Sequence, residues 1–328
     1  MLSRVADSVY WLSRYIERAE NIARFIDVNL HLMLDTPMET RLQWDPLVTV
    51  TGDSDLFAQR YGDVTRDTVI QFLTFDADYP NSIVSCLRKA REQARCVREV
   101  ISSEMWRSIN EFFLFVTSPE ARGNAFSDPH TFFNQVRLGS HRFTGVRAST
   151  MSHGEAWHFS QLGELIERAD KTSRILDVKY FILLPKVEYV GTPYDNIQWA
   201  AVLKSASALE MYRKRFQQIS SRNVANFLIF DREFPRSISN CVERAEQSLH
   251  RITGSPTGTF ANPAEQQLGR LSAELNYSDI EEVLSSGFHK YLDNLQLRLN
   301  MVHKAIFDTF FTLAPRNATA GIAPTPTE

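Results

Sequence analysis

The sequence reads IERAENIARFIDV at residues 16–28 and IERADKTSRILDV at residues 166–178, an offset of 150 positions. Windows of seventeen residues around these segments share seven identical positions. A second pair of segments, 72–91 and 227–246, follows in the same order with nine identities in twenty. Two segments that recur in the same order indicate tandem duplication of a unit of about 150 residues.

Helical periodicity dominates the sequence. Apolar residues recur every three or four positions around the first segment, a spacing typical of an amphipathic helix: Val9, Leu12, Ile16, Ala19, Ala23, Ile26 and Leu30. The same pattern predicts further helices over 66–75, 81–116, 129–150, 155–184, 224–230, 236–253, 263–275 and 286–313. Clusters of aspartate, glycine and proline separate these stretches.

These patterns predict an all-α fold made of two tandem-duplicated helical units. The first unit is expected to span residues 1–150 and the second residues 151–314. We expect the two units to pack as one pseudo-two-fold helical bundle. Residues 315–328 carry few apolar side chains, so a disordered tail is expected there.

Composition limits the classes of partner and compartment. The chain has 328 residues, of which 43% are hydrophobic and 23% charged, a balance typical of globular proteins. Its net charge of −3 gives no global reason to expect a nucleic-acid or anionic-membrane partner. Without a long apolar run or a signal-peptide core, the sequence predicts a cytoplasmic protein. Three cysteines without a CxxC pair are expected to be reduced core residues.

The repeated helix carries a stripe of alternating charge. Positions four or three apart share a helix face, which groups Glu17, Glu20, Arg24 and Asp27 in the first copy and Glu167, Asp170, Arg174 and Asp177 in the second. A solvated stripe of such pairs contributes about 0.3 to 0.5 kcal/mol per pair. Because a solvated stripe has no need to be repeated so faithfully, we expect at least Glu17, Arg24 and their copies to lie between helices. Their pairing would then fix how the helices cross.

The second repeated segment contains an acid before a proline. Asp76 precedes Pro80, and Asp231 precedes Pro235. Proline suits the first turn of a helix, and carboxylates are favourable near its unsatisfied amides. We therefore interpret Asp76 and Asp231 as helix-start acids, with a catalytic aspartate as the alternative.

Together, these motifs resemble those of the alpha-E family, a bacterial all-helical domain with a conserved Glu-Arg motif. The resemblance is carried by the two copies of I-E-R-A-[ED]-x-x-x-R-x-[IL]-D-V, by LSRVADSVYWLSRYIERAENIAR at the start, and by ISSEMWRSIN at 101–110. It implies a structural or functional role for Glu17, Arg18, Arg24, Asp27, Glu167, Arg168, Arg174 and Asp177. It also implies partners: a circularly permuted ATP-grasp protein and, further, a transglutaminase-like peptidase. A proteasome-like hydrolase is a third associated protein, and the shared theme is ATP-dependent formation of peptide or amide bonds.

The paired acids also suggest a metal site, which we weigh against their surroundings. Glu17 with Glu20, and Glu167 with Asp170, resemble the carboxylates of a di-metal helical bundle. Such bundles also need Glu-x-x-His motifs, and neither repeated helix has a histidine three residues after its glutamate. We therefore expect no metal. The sequence has no Walker loop and no dinucleotide fingerprint, so no cofactor is expected and a nucleotide would come from a partner.

One basic segment is a candidate surface for an anion or an acidic partner. It reads RLGSHRFTGVRAST at 137–150, and the candidate residues are Arg137, His141, Arg142 and Arg147 within it and His153 shortly after it. An ordinary solvated basic face is the alternative.

Two functional hypotheses follow. The first is a non-catalytic helical partner or substrate-binding subunit of an ATP-grasp peptide or amide ligase system. The alternative is an enzyme that forms or hydrolyses amide bonds at the interface of the two repeats. The residues name no catalytic group, so the first hypothesis is favoured.

Overall fold

The computed structural model describes residues 1–34, 44–183 and 193–312. Within these ranges the regular elements are helices and no strand occurs, which confirms the all-α prediction. The predicted disordered tail, 315–328, lies outside the described residues.

The first eight helices end at residue 150. They are α1 (Ser3–Leu34), α2 (Asp45–Thr51), α3 (Ser54–Tyr61), α4 (Arg66–Ile70), α5 (Ile83–Cys96), α6 (Ser103–Thr117), α7 (Pro119–Ser127) and α8 (Pro129–Thr150). A π-helical turn, Gln71–Phe75, continues α4.

The remaining helices begin at residue 155. They are α9 (Glu155–Leu183), α10 (Pro193–Ser205), α11 (Leu209–Arg215), α12 (Ser221–Phe230), α13 (Ile238–Thr253), α14 (Pro263–Tyr277), α15 (Ile280–Ser286) and α16 (Phe288–Ile306). A second π-helical turn, Phe307–Phe311, continues α16.

The structure divides one predicted helix in two. The stretch 81–116 was expected to be continuous, but α5 ends at Cys96 and α6 begins at Ser103. Ser102 is the N-cap of α6, since its hydroxyl accepts the N–H of Met105 at 3.0 Å. The hydrophobic pattern continues across the break because α5 and α6 pack against each other.

Helices α1 and α9, which carry the two repeated segments, form the centre of the fold. They pack against each other, with α5 and α8 on α1 and α13 and α16 on α9. The short helices cross over, so that α2 packs on α9 and α10 packs on α1. The two repeated segments therefore face each other in the interior, surrounded by the other helices.

The two central helices approach closely because small residues lie at their contact. A Cβ atom on Gly163 would be 2.3 Å from the carbonyl oxygen of Tyr10. Nearby, the hydroxyls of Ser13 and Ser160 are 2.6 Å apart and form a buried hydrogen bond. This close approach brings the charged side chains of the following turns within reach of the opposite helix.

Replacement of Gly163 by alanine tests this contact. The added methyl meets backbone, which cannot rotate away, so α1 and α9 must move apart. We expect Gly163→Ala to lower the free energy of unfolding by about 1 to 3 kcal/mol, measured by urea denaturation.

Gly145→Ala is the matched control, because Gly145 also lies within a helix but has nothing near its Cβ direction. There the lower backbone entropy of alanine should leave stability unchanged or raise it by up to about 1 kcal/mol. Equal effects of the two substitutions would contradict the close helix contact.

Candidate functional site

The Glu-Arg dipeptides of the two repeated segments bind each other across α1 and α9. Arg18 donates from Nε to Oε1 of Glu167 at 2.7 Å and from Nη2 to Oε2 at 3.0 Å. Arg168 donates to both oxygens of Glu17, at 3.2 and 2.8 Å. Each carboxylate thus receives two hydrogen bonds from the other segment's arginine, the bidentate arrangement that a planar guanidinium favours.

Both glutamates lie between helices and not in a solvated stripe. Glu17 is 2% exposed and Glu167 is fully buried. Burial opposes ionisation of Glu167, but the charges of Arg18, Lys171 and Arg14 outweigh it and hold its pKa well below its ordinary value. Glu167 is therefore a carboxylate at neutral pH, and its arginine partners satisfy the charge that burial would otherwise make costly.

This reciprocal pairing gives a Glu-Arg motif a physical role, and the chain matches a family defined by such a motif. Residues 1–311 match Alpha-E, described as "a predicted alpha-helical domain with a conserved ER motif". The chain belongs to the Alpha-E family. The match covers nearly the whole chain, including both repeated segments.

Curated relatives of this Alpha-E protein are longer than the chain itself. An uncharacterized protein of Mycobacterium bovis and one of Mycobacterium tuberculosis are each 24% identical to it over 327 residues. A further uncharacterized M. tuberculosis protein is 23% identical. Each match covers 93% of this chain but 36% of the relative, so the chain spans about a third of their length. No solved structure matches the chain.

Additional cations surround each motif glutamate, and sequence reasoning missed them. Arg14 donates from Nε to Glu167 at 2.9 Å. Arg236, in the turn before α13, donates to Glu17 at 2.9 Å and also to Glu20. Their spacing along the chain gives no signal, because Arg14 pairs across 153 positions and Arg236 across more than 200.

The acids one turn further along the repeated helices are also paired. Glu20 accepts from Nε and Nη2 of Arg24 at 2.8 and 2.6 Å, and from the hydroxyl of Ser140. Its counterpart in the repeat, Asp170, accepts from Nε of Arg174 at 3.0 Å. Burial opposes ionisation of Glu20, but Arg236 and Arg24 lower its pKa well below the ordinary value.

The structure corrects the interpretation of Arg147 as part of an exposed basic face. Arg147 is 4% exposed and donates to Glu164 and, at 3.0 Å, to Ser160. Glu164 also accepts from Arg168, which links it to the Glu17 pair. The helix over 129–150 was predicted correctly, but α8 turns the side chain of Arg147 toward α9 and not toward solvent.

The other residues of the basic segment lie in different surroundings. Arg137 is 3.3 Å from Asp27, and His141 is 3.3 Å from Glu20, so both reach back to α1. Arg142 is exposed and paired with the exposed Glu111, at 2.5 Å. Exposed His153 stacks on Trp157 with ring centroids 4.3 Å apart. The five candidates therefore do not form one continuous docking surface.

The aspartates at the ends of the two motifs each bind a histidine from a later helix. Nδ1 of His130 is 2.6 Å from Asp27, and Nδ1 of His289 is 2.6 Å from Asp177. His289 also lies 3.3 Å from Asp293. Within the described part of the chain, Asp177, His289 and Asp293 form a group whose donor atoms lie within 4.8 Å of one another, a spacing that a metal ion can use.

The sequence analysis did not predict these histidine partners. They lie on α8 and α16, more than 100 residues along the chain from the aspartates that they bind. The hydrogen bond that His289 donates to Asp177, together with the charges of Asp177 and Asp293, raises the pKa of His289 against the opposing effect of burial. An ion-paired histidine therefore explains this group without a metal.

Asp76 and Asp231 organise a turn and do not lie at a helix start. Asp76 accepts the backbone N–H groups of residues 78 and 79 at 2.9 and 3.1 Å, and pairs with Arg60 at 3.0 Å. Asp231 accepts those of residues 233 and 234 and pairs with Arg215. The helix-start interpretation is wrong because the prolines precede the helices, in the turn itself.

Serine residues cap the two helices instead. The hydroxyl of Ser82 accepts the N–H of Ser85 at 3.1 Å at the start of α5. Ser237 accepts the N–H of Asn240 at 3.2 Å at the start of α13. The turn and its cap thus have the same design at both repeated segments.

The two buried thiols offer little nucleophilic character. Cys86 and Cys241 are buried, and burial raises the pKa of the first to about 11 and of the second to about 12. Cys96 is exposed, so the prediction that all three cysteines are core residues is wrong for this one. Among the described helices, none is both long and apolar enough to span a membrane.

The candidate site is thus a buried network of ionised groups. A carboxylate whose pKa lies far below neutrality donates no proton at neutral pH, and both oxygens of Glu167 already accept from guanidinium groups. Such a network suits fixed recognition of charge better than proton transfer.

Removal of a motif glutamate tests the network. Glu17→Ala or Glu167→Ala leaves buried arginines without their carboxylate, so each should lower the free energy of unfolding by about 3 to 5 kcal/mol. Glu92→Ala, at an exposed pair with Arg95, should cost less than about 1 kcal/mol. If urea denaturation showed that Glu17→Ala and Glu167→Ala lower the free energy of unfolding by less than about 0.5 kcal/mol, the buried network would be contradicted.

Acid should weaken the fold through the same carboxylates. In the folded protein, burial opposes ionisation of Glu164, but Arg147 and Arg168 lower its pKa from 4.5 to about 2. The folded state then binds fewer protons than the unfolded state, so this stabilisation is present above pH 4.5 and lost as pH falls toward about 2.

Urea denaturation across this pH range measures the effect. Glu164→Gln should show a shallower loss of stability on acidification, whereas the exposed control Glu92→Gln should follow the wild type. Identical pH profiles of wild type and Glu164→Gln would contradict the assignment.

Proposed function

We propose that this Alpha-E protein is a non-catalytic helical partner, or substrate-binding subunit, of an ATP-grasp peptide or amide ligase system. The observation that carries the proposal is the engagement of the repeated acids. Glu17, Glu20, Glu167 and Asp170 are each hydrogen-bonded to an arginine. Acids held in this way serve structure and recognition, and leave the chemistry to a partner.

The greater length of the relatives supports a role for this chain as a partner of other domains. Nearly two thirds of each mycobacterial relative lies outside the matched region. In such proteins the region that matches this chain is one part of a longer polypeptide, which supports a role for that region beside other domains. The family resemblance supplies the kind of partner, a circularly permuted ATP-grasp protein, with a transglutaminase-like peptidase as a further associate. Because that partner consumes ATP, we propose that the assembly works in the cytoplasm.

We further propose that the chain arose by duplication and that the two units, 1–150 and 151–314, are related by a pseudo-two-fold axis. The reciprocal pairs of Glu17 with Arg168 and Glu167 with Arg18 support this arrangement. A contact in which position 17 meets 168 while 167 meets 18 is what a two-fold axis between the copies would produce. The equal Asp–His distances at Asp27 and Asp177 add a second, independent correspondence.

Co-purification with a circularly permuted ATP-grasp protein from the same organism tests the proposal. We expect a stable complex and an ATP turnover by the partner, measured as phosphate release, that changes when this chain is added. The chain alone should release no phosphate. Amide-bond formation or hydrolysis by the chain alone would overturn the proposal in favour of an enzyme.

Charge reversal at the exposed part of the basic segment locates the contact. Arg142→Glu should weaken the complex at least tenfold if this face docks the partner, because charge reversal at a rim affects association more than folding. Arg95→Glu, at another exposed position, is the control. Equal affinities of the two variants would assign docking to another face.

A further inference from the structure

A polar cavity of about 180 Å³ opens between α1 and α9, beside the turn that precedes α5. Four cationic side chains line it, those of Arg14, Arg18, Lys171 and Arg174, together with the carboxylate of Asp170. Its volume is well above the roughly 10 to 15 Å³ that a single water needs. The cavity is therefore large enough for a small molecule, and its lining favours an anionic one.

The proposed duplication supplies an internal comparison for this cavity, and the inference rests on it. The position that corresponds to Asn81 in the repeated turn is Arg236, and the position that corresponds to Lys171 is Asn21. Arg236 extends to Glu17 at 2.9 Å and to Asn21 at 3.3 Å, and so occupies the corresponding space. The side chain of Asn81 is shorter, and its amide oxygen accepts a hydrogen bond from Arg18 at 2.7 Å.

The two copies thus carry one cationic side chain at different positions, on the turn in one copy and on the helix in the other. In one copy the charge is on the turn, at Arg236, and the helix carries the neutral Asn21. In the other copy the helix carries Lys171 and the turn carries the neutral Asn81. These two positions together carry one cation in each copy, but in the copy with Asn81 the long side chain is absent from the turn and a cavity is open there.

Asp170, which lines the cavity, also carries a buried carboxylate oxygen that lacks a hydrogen-bond donor in the described part of the chain. Oδ2 of Asp170 accepts from Lys171 and Arg174 at 2.9 and 3.0 Å. Oδ1 is buried and has no hydrogen-bond partner among the residues that the structure describes. Asp170 as a whole is 7% exposed.

The other copy shows how this acceptor is normally satisfied. There Glu20, which corresponds to Asp170, accepts from the hydroxyl of Ser140. His130 on α8 and His289 on α16 bind equivalent aspartates, Asp27 and Asp177, and lie 159 positions apart. The same offset aligns Ser140 of α8 with Leu299 of α16. A leucine has no hydrogen to donate. A buried acceptor without a donor destabilises the fold, so a ligand that supplies a donor gains in affinity.

We propose that this cavity binds a small carboxylic acid that carries its own hydrogen-bond donor, an amino or hydroxy acid. Its carboxylate lies among Arg14, Arg18 and Lys171, and its amino or hydroxyl group donates to Oδ1 of Asp170. Asn300 is exposed at the cavity lining and leaves a path from solvent. If the ligase proposal holds, this ligand class is the substrate that the helical protein presents.

Binding to the isolated chain tests the proposal without any partner, so its outcome is independent of the ligase proposal. Calorimetric titration and thermal unfolding would use L-alanine, L-lactate, acetate, L-alaninamide and inorganic phosphate. We expect saturable binding and a raised Tm with alanine or lactate, weaker binding of acetate, which lacks the donor, and none of alaninamide, which lacks the carboxylate. Preference for phosphate, equal binding of acetate, or binding of none of these probes would overturn the proposal.

Substitutions that convert the cavity into its filled counterpart provide the second test. The double variant Asn81→Arg with Lys171→Asn keeps the number of charges and places an arginine where Arg236 lies in the other copy. It should abolish binding of the acid while circular dichroism remains helical. Unchanged affinity in a folded double variant would overturn the proposal.

A single substitution keeps the test decisive if the double variant fails to fold. Lys171→Asn leaves Glu167 with Arg14 and Arg18, so the fold should persist while affinity for the acid falls roughly tenfold or more. Lys171→Arg is the matched control and should retain binding. Equal affinities of these two variants would contradict the role of Lys171 in the cavity.

Discussion

The reciprocal bidentate pairs between α1 and α9 are the constraint on which the rest of the structure depends. Each buried carboxylate needs the arginine of the opposite helix, and each arginine needs that carboxylate, because an unpaired charge in the interior costs several kcal/mol. A slip of one helix along the other would break both pairs at once. The pairs therefore fix the register of α1 on α9, and the helices that pack on these two inherit it.

Fixed register leaves room for the two halves to diverge in the groups around it. Arg236 and Asn21 in one half correspond to Asn81 and Lys171 in the other. Exchange of a cation between turn and helix preserves the local charge, which keeps the buried acids paired, yet it changes which space is filled. Under the proposed duplication, one copy thus gains a cavity without losing the interactions that hold both copies together.

The sequence predicted the helices that carry the motif, and repetition correctly indicated that Glu17 and Glu167 lie between helices. It could not predict their partners, since Arg236 reaches α1 from more than 200 positions away. Arg147 was misplaced because periodicity identifies a helix but not which neighbour its polar face meets. The break near Ser102 was missed because α5 and α6 pack on each other, which continues the apolar pattern through the turn.

The constant charge of the buried ion pairs limits the kinds of function that these groups can support. At the cavity, neighbouring acidic groups raise the pKa of Arg14, Arg18 and Arg174 against the opposing effect of burial. Neighbouring cations lower the pKa of Asp170 to about 2 despite its burial, so these four groups stay charged through the physiological range. Constant charge is useful for holding an acid in one ionised form and one orientation. It is a poor arrangement for general acid-base catalysis, which needs a group that titrates near the working pH. The same ion pairs that fix the fold therefore support the binding role proposed for this chain.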